Sequence, residues 1–421
     1  MTKNVLLLTS DAGFGHRAAA NAIAAALAER YGQACRVAIV NPLDDPQTPA
    51  VLRRVESDYD RQVLETPDLY QLGYRASDKA FPVSVVEQAL IAMLGPTIRK
   101  IIQSEQPDVV ITTHPLYQAP VAAIFAVRRT YVPLITVVTD LATVHGLWFN
   151  DEVDWCLVPS RVVQEKALQY GLTRDSVELT GLPVNPLLAR RPDKAALQAE
   201  LGLDGRRVVA LCAGSKRVTR LEGVVDALNH SGWPLELLLV AGGNEGLLEQ
   251  WRHTRWHQPA HVLGFVPDMP RFIQAADFIV CKAGGLIVSE AMAASLPLLL
   301  IEAIPGQETG NADYVVQGGA GELAEEPLQA LTVVCHWLDN SCALLAERAS
   351  NSARLGHPYA AYRVAEIAWQ AAQQGAPHRE HRLRAQVPLL KQLLKERSQQ
   401  PTAPDRHPRR SRLVRVIRRK P

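Results

Sequence analysis

The sequence predicts an α/β protein made of two doubly wound parallel sheets. Three observations carry that reading. Short apolar runs alternate with helical periodicity along most of the chain, and nearly every run ends in a turn rich in glycine, proline or polar residues. The alternation stops once, just after residue 181, and then restarts, so two halves of one architecture follow each other. With 421 residues, 47% of them hydrophobic and 21% charged, each half is long enough to bury its own core.

Residues 4–10 read as the first strand, followed by the loop Ala12-Gly13-Phe14-Gly15-His16 and an alanine-rich helix over residues 17–31. A second strand over 36–40 ends at Asn41-Pro42, and the polar, aromatic stretch 49–79 reads as a helical excursion from the sheet. Residues 84–104 have helical spacing; strands over 108–113 and 134–139 end at His114-Pro115 and Asp140. A strand over 155–158 leads into a helix over 160–170, and a last run covers 177–181. Pro183 and Pro186, with no periodicity around them, mark a hinge over 182–195.

The second half then offers strands over 208–212, 235–240, 262–265, 278–281 and 298–301, and helices over 328–373 to close it. The expected organisation is a Rossmann-like domain over residues 1–181, the hinge, a second Rossmann-like domain over 196–375 facing it across a cleft, and a tail over 376–421.

The tail is where the charge lies. From His378 to Pro421 there are fourteen Lys or Arg against three acidic residues, a net of +11, while the whole chain carries +2. Residues 1–377 therefore carry −9. Leu389, Leu390, Leu393, Leu394, Leu413, Val414, Val416 and Ile417 lie among these basic residues, a composition that suits the surface of an anionic bilayer. The same composition also fits a solvated tail with no target. It has no aromatic residue to stack on bases, which speaks against nucleic acid.

Six cysteines without a Cys-x-x-Cys pair read as reduced thiols of a cytosolic protein. The apolar opening is far too short for a signal peptide, and no run reaches the ~18 apolar residues of a spanning helix. The expected location is cytoplasmic, peripheral to the inner face of the cell membrane. The histidines are scattered and there is no Asp-x-Asp, so no metal and no cofactor is expected.

The chemistry starts at Lys282-Ala283-Gly284-Gly285. Glycines between a strand and a helix let the backbone approach a phosphate, and the free N–H groups and dipole of the helix start favour negative charge. Lys282 can add its charge, and Glu290, about one and a half turns into the helix, is placed to accept from sugar hydroxyls. Beyond the next strand comes the polar loop Pro305-Gly306-Gln307-Glu308-Thr309-Gly310-Asn311. This stretch resembles the donor-binding half of the UDP-sugar glycosyltransferases that include bacterial UDP-GlcNAc–lipid II transferases and the diacylglycerol glycosyltransferases. The counterpart in the first half is Ser10-Asp11-Ala12-Gly13-Phe14-Gly15-His16-Arg17. A helix N-terminus disfavours imidazolium, which keeps His16 neutral and able to take a proton, although a capping or solvent-facing histidine fits the same spacing.

That loop resembles the Gly-Gly-Gly-His-Arg loop of the monogalactosyldiacylglycerol synthase and processive diacylglycerol glucosyltransferase family. The resemblance runs over roughly residues 4–325 and continues through Thr112-Thr113-His114-Pro115, Val138-Thr139-Asp140, His145, Trp148, Asp154 and Thr180-Gly181-Leu182-Pro183-Val184. It implies a GT-B type fold and an inverting transfer of a hexose from a UDP-sugar to a lipid hydroxyl, diacylglycerol or a related glycolipid, with His16 as general base. Gly13, Phe14, Gly15, His114, Asp140, His145 and Trp148 would line the acceptor side. Asp140 can instead cap a helix, Trp148 can be core, and His114 can shape a turn.

On the donor side the resemblance implies that Gly214, Ser215 and Lys216 close over the diphosphate. Phe265 would stack on uracil, or belong to the core, while the Val266 backbone reads the base edge. Gly284 and Gly285 would meet the phosphates, Glu290 the ribose, and Gln307, Glu308 and Asn311 the sugar or its nearby phosphate. Phe14 replaces a smaller residue of the family, and Asn185 replaces its usual arginine, so Lys216, Arg217 or Lys282 must supply that charge. A UDP-sugar 2-epimerase and a non-catalytic nucleotide-sugar sensor are the alternative readings.

Overall fold

In a computed structural model the described residues are 2–11, 15–53, 83–128 and 131–375. The basic tail, Gly13, Phe14 and most of the 49–79 excursion lie outside them. Strands β1 (Lys3–Leu8), β2 (Cys35–Val40), β3 (Val109–Thr112), β4 (Leu134–Val137), β5 (Trp155–Val158) and β6 (Val177–Leu179) form a six-stranded parallel sheet in the order β2-β1-β3-β4-β5-β6. Each core strand is buried on both faces, which is why it reads as a continuous apolar run rather than an alternating one. Helices α1 (Gly15–Tyr31), α2 (Val83–Glu105), α3 (Gln118–Arg128) and α4 (Arg161–Gln169) connect them.

The second half repeats the plan. Its strands are β7 (Val208–Ala213), β8 (Leu235–Val240), β9 (Ala260–Leu263), β10 (Phe278–Lys282), β11 (Leu298–Glu302) and β12 (Gly321–Leu323), in the order β12-β11-β10-β7-β8-β9. Its helices are α5 (Lys194–Glu200), α6 (Leu221–Asn229), α7 (Glu245–His253), α8 (Met269–Ala275), α9 (Gly285–Ala293), α10 (Thr309–Gln317) and α11 (Pro327–Leu355), the last interrupted by non-helical backbone at residues 339–342. Strand order reverses once in each sheet, between β1 and β3 and between β7 and β10, and the crevices outside the carboxyl ends of such strands are where open parallel sheets bind ligands.

One expectation is corrected. Helices over 328–373 were to close the second half, and α11 does so, with Val334 and Trp337 in the core beside β8 and β10. The final helix, α12 (Ala360–Gln374), returns instead to the first half. Its Ala361, Val364, Ala365 and Ala368 pack with Ala22, Ile23 and Ala26 of α1 on Val5, Leu7, Ile111 and Ile135 of the sheet. Small side chains on both helices let them lie close to the strands. Tyr362 Oη donates to Glu29 at 2.8 Å, and Trp369 stacks on Tyr31 with ring centroids 4.3 Å apart.

Ala365→Glu would force a carboxylate against the first sheet. We expect a loss of about 3 kcal/mol or more in urea unfolding followed by circular dichroism, against little change for Glu at exposed Ala343.

Candidate active site

The two crevices face each other, and the loop after β4 lies between them. His16 is the second residue of α1, so its ring stands at the carboxyl edge of the first sheet. Its Nδ1 lies 2.8 Å from the carbonyl oxygen of Thr113 and 2.7 Å from Thr139 Oγ1. A carbonyl oxygen only accepts, so Nδ1 carries a proton, and the lone pair of a neutral ring would lie on Nε2. His114 meets this ring edge-on, with centroids 4.7 Å apart. Burial, and then the neighbouring His16, hold His114 well below the ordinary histidine range, so it is neutral.

Trp148 is fully buried in the core and also donates its Nε1–H to Asp140 at 2.6 Å, its ring 6.1 Å from that of His16. Asp140 therefore holds an indole; burial pushes its carboxyl up to about 6, against the lowering effect of the Trp148 bond. His145 accepts from the Leu147 N–H at 3.1 Å and caps the short turn Gly146–Trp148. Gly15 opens α1.

On the other side, β10 delivers Lys282, Ala283 and Gly284 to the start of α9. No side chain caps that start, and the first intrahelical bond runs from Val288 to Gly284. The N–H groups of Gly285, Leu286 and Ile287 thus lack an intrahelical acceptor. Lys282 sits beside Gly284, but its ammonium is bound to the buried carboxylate of Glu308, whose second oxygen accepts from the Ile304 N–H at 3.1 Å. Lys282 thus shares its charge with Glu308, and Glu308 is engaged inside the protein in this structure.

Asn311 donates to the Ala283 carbonyl at 3.0 Å, and its buried Oδ1 has no hydrogen-bond partner. Gln307 is partly buried in the same loop. Glu290 has no charged or hydrogen-bonding partner for its carboxyl among the described residues, and burial pushes it up to about 7.

After β7, Gly214 N–H donates to the Val240 carbonyl at 2.7 Å, Ser215 Oγ accepts from Arg217 N–H at 3.2 Å, and Lys216 is exposed. Thr219 ties this loop to Glu302 at the end of β11, through bonds of 2.9 and 3.1 Å. Phe265 is 72% exposed, so it is not core, while Val266 packs partly on the second core. Asn185 accepts from the Leu187 N–H at 3.0 Å and caps a short turn of the hinge. Among the described residues no group of three His, Cys, Asp or Glu could hold a metal ion.

At the site the loop after β4 touches the second half. A Cβ built on Gly285 would lie 3.6 Å from the Thr139 carbonyl oxygen and 3.7 Å from Leu141, and one on Gly310 would collide with Thr143 Oγ1. The residue that sequence reasoning left without a role is Thr139, which touches His16 through its side chain and faces Gly285 through its backbone. Its only signal was its place in Val138-Thr139-Asp140.

Residues 16–184 match the family model for monogalactosyldiacylglycerol synthase, and residues 208–332 that for glycosyl transferases group 1. The chain is 32% identical over 377 residues to a probable chloroplastic monogalactosyldiacylglycerol synthase of Glycine max, covering 86% of this chain and 70% of that one. It is 31% identical to monogalactosyldiacylglycerol synthase 2 of Arabidopsis thaliana, over 89% of this chain and 82% of that one. MurG of Acinetobacter baumannii, a solved structure, superposes with a TM-score of 0.57 at 16% identity, over 87% of this chain and 99% of that one. At that identity the likeness speaks for the fold alone, a GT-B arrangement of two Rossmann-like halves.

Burial that raises the Glu290 carboxyl favours its protonated form in the fold. That contribution to stability is complete below the unfolded value of 4.5 and is lost as pH rises through about 7. Glu290→Gln should therefore match the parent chain in thermal unfolding at pH 4 and exceed it at pH 8; equal melting at both would show the carboxyl to be solvated.

Proposed function

The chain belongs to the monogalactosyldiacylglycerol synthase family of glycosyltransferases, and from that premise we propose that it moves galactose from UDP-galactose to the free hydroxyl of diacylglycerol. One observation carries the reading. Thr139 stands between His16 and Gly285, so a ring nitrogen with a lone pair and an uncapped helix start share one cleft.

In the proposed step His16 Nε2 takes the proton from the acceptor hydroxyl. The oxygen bonds the anomeric carbon while the bond from that carbon to the UDP oxygen breaks, which inverts the configuration. The departing diphosphate is received by the N–H groups at Gly285, Leu286 and Ile287, with Ser215 and Lys216 closing from the β7 loop. Lys282, bound to Glu308, makes the turn rigid and contributes part of its charge. The Glu290 carboxyl accepts from the ribose hydroxyls, Asn311 Oδ1 from a sugar hydroxyl, and exposed Phe265 stacks on uracil. The acceptor enters past His114, Asp140 and Trp148. Phosphate charge is met by dipoles and cations of the chain, so no metal is required.

The epimerase alternative shares this fold: a putative UDP-N-acetylglucosamine 2-epimerase of Listeria monocytogenes superposes with a TM-score of 0.53 at 15% identity, over 86% of this chain and 95% of that one. That reading gives no task to the first-half loops, and neither does a sensor that binds without turnover. In the cell we place the enzyme in glycolipid biosynthesis as a cytoplasmic, peripheral membrane protein, held at anionic lipid by residues 378–421.

UDP release with UDP-galactose, UDP-glucose and UDP-GlcNAc, with and without vesicles containing dioleoylglycerol, tests the whole reading. Release should need both UDP-galactose and the vesicles, survive EDTA, and fall roughly 10²- to 10⁴-fold in His16→Ala. Sugar interconversion without vesicles would establish the epimerase instead.

A chain ending at Gly375 should lose most of its co-sedimentation with phosphatidylglycerol vesicles while keeping its UDP affinity. Undiminished co-sedimentation would remove the tail from membrane binding.

A further inference from the structure

We infer that Thr139 is a positioning residue for the transfer, its hydroxyl holding in place the His16 ring whose Nδ1 proton the Thr113 carbonyl fixes. The inference rests on the reading of His16 as the base. Three facts lead to it. Nδ1 of His16 has two oxygens within hydrogen-bond distance, the Thr113 carbonyl at 2.8 Å and Thr139 Oγ1 at 2.7 Å. Neither of these two oxygens belongs to a carboxylate. Thr113 is itself anchored, its hydroxyl donating to the His16 carbonyl at 3.1 Å and lying 2.9 Å from the Thr9 hydroxyl, which can donate to it.

The geometry decides the proton's place. If Nδ1 bore a lone pair, it would oppose the Thr113 carbonyl oxygen at 2.8 Å with no hydrogen between them. Protonated Nδ1 satisfies the carbonyl and shares its hydrogen with Thr139 Oγ1, whose own hydrogen can then point away. The lone pair is thereby placed on Nε2, and both acceptors favour the imidazolium formed when Nε2 takes a second proton. The carbonyl cannot be altered by substitution, which leaves the Thr139 hydroxyl as the adjustable half of the device. Its backbone oxygen faces Gly285, so the same residue orients the ring and sets its distance from the helix start.

Among the described residues the titratable groups near the ring can be named. His114 lies edge-on and is neutral; Asp140 acts through Trp148; Asp11 is paired with Arg17 beside α1; the bound Lys282–Glu308 pair and Glu290 lie across the cleft. None of them is changed by removing one methyl-sized hydroxyl, so a shift between parent and variant reports on His16.

The test is the pH profile of kcat/KM for UDP release from UDP-galactose with dioleoylglycerol in phosphatidylglycerol vesicles, using the full chain. Thr139→Val keeps the shape and removes the acceptor. We expect kcat to fall about tenfold, with UDP affinity unchanged, and the acid limb of the profile to move to lower pH by up to about one unit. Thr139→Ser should restore both. An unmoved acid limb, or a loss that appears only in UDP affinity, would overturn the role. His16→Ala measured beside it separates the two ideas: an active His16→Ala removes the base and this inference together, whereas an inactive His16→Ala with an unaltered Thr139→Val removes the Thr139 role alone.

Discussion

The return of α12 to the first sheet is the constraint on which the rest depends. The chain crosses between the halves twice, once through the hinge after β6 and once between α11 and α12, and the two crossings touch. Gly181, at φ +86°, lies so close to His357 that a Cβ there would collide with the imidazole side chain, and a Cβ on Gly356 would collide with the Met292 carbonyl. Two connections side by side leave the halves free to rotate about one axis and little else. A single linker would let the carboxyl ends of the two sheets drift apart. With the crossings in contact, the β4 loop lies against Gly285 and Gly310, and His16 stands opposite the helix start.

Within that frame the site holds little uncompensated charge. Lys282 is balanced by Glu308, Asp11 by Arg17, His114 is neutral, and the Asp140 and Glu290 carboxyls are pushed upward by burial. For the proposed reaction this matters because a diphosphate brings its own negative charge into a partly dry cleft. N–H dipoles fixed by a helix can receive it without reorganising, whereas a free carboxylate nearby would oppose it. The Lys282–Glu308 pair then acts as a rigid strut with a modest field.

Much of this was legible from residues alone, and the failures have physical causes. Buried parallel strands are continuous apolar runs bounded by glycine and proline, so β1, β5, β8 and β10 stand out, as does the Gly284-Gly285 turn. Strand β12 does not: Gly-Glu-Leu is three residues on a sheet edge, too short for any period. The destination of α12 is invisible because an alanine-rich face fits either sheet equally, and only the chain's path decides. Lys282 and Glu308 lie 26 positions apart, and nothing in their spacing says that each is the other's partner. Thr139 is a hydroxyl among many, and its bond to His16 spans 123 positions. The hinge residue Asn185 drew attention as a missing arginine, but its carboxamide has local work as a cap.

The division of the reacting parts between halves argues for transfer over rearrangement. An epimerase needs its acid and base around the sugar of a single bound nucleotide, and one half could hold both. Here His16 belongs to α1 and the uncapped N–H groups belong to α9, and the β4 loop touches His16 through Thr139 and lies against Gly285 and Gly310. Neither half alone can carry a proton from one molecule while receiving a leaving group from another. A histidine on one half and an uncapped helix start on the other, with one loop touching both, is the arrangement expected of an enzyme that brings two substrates together.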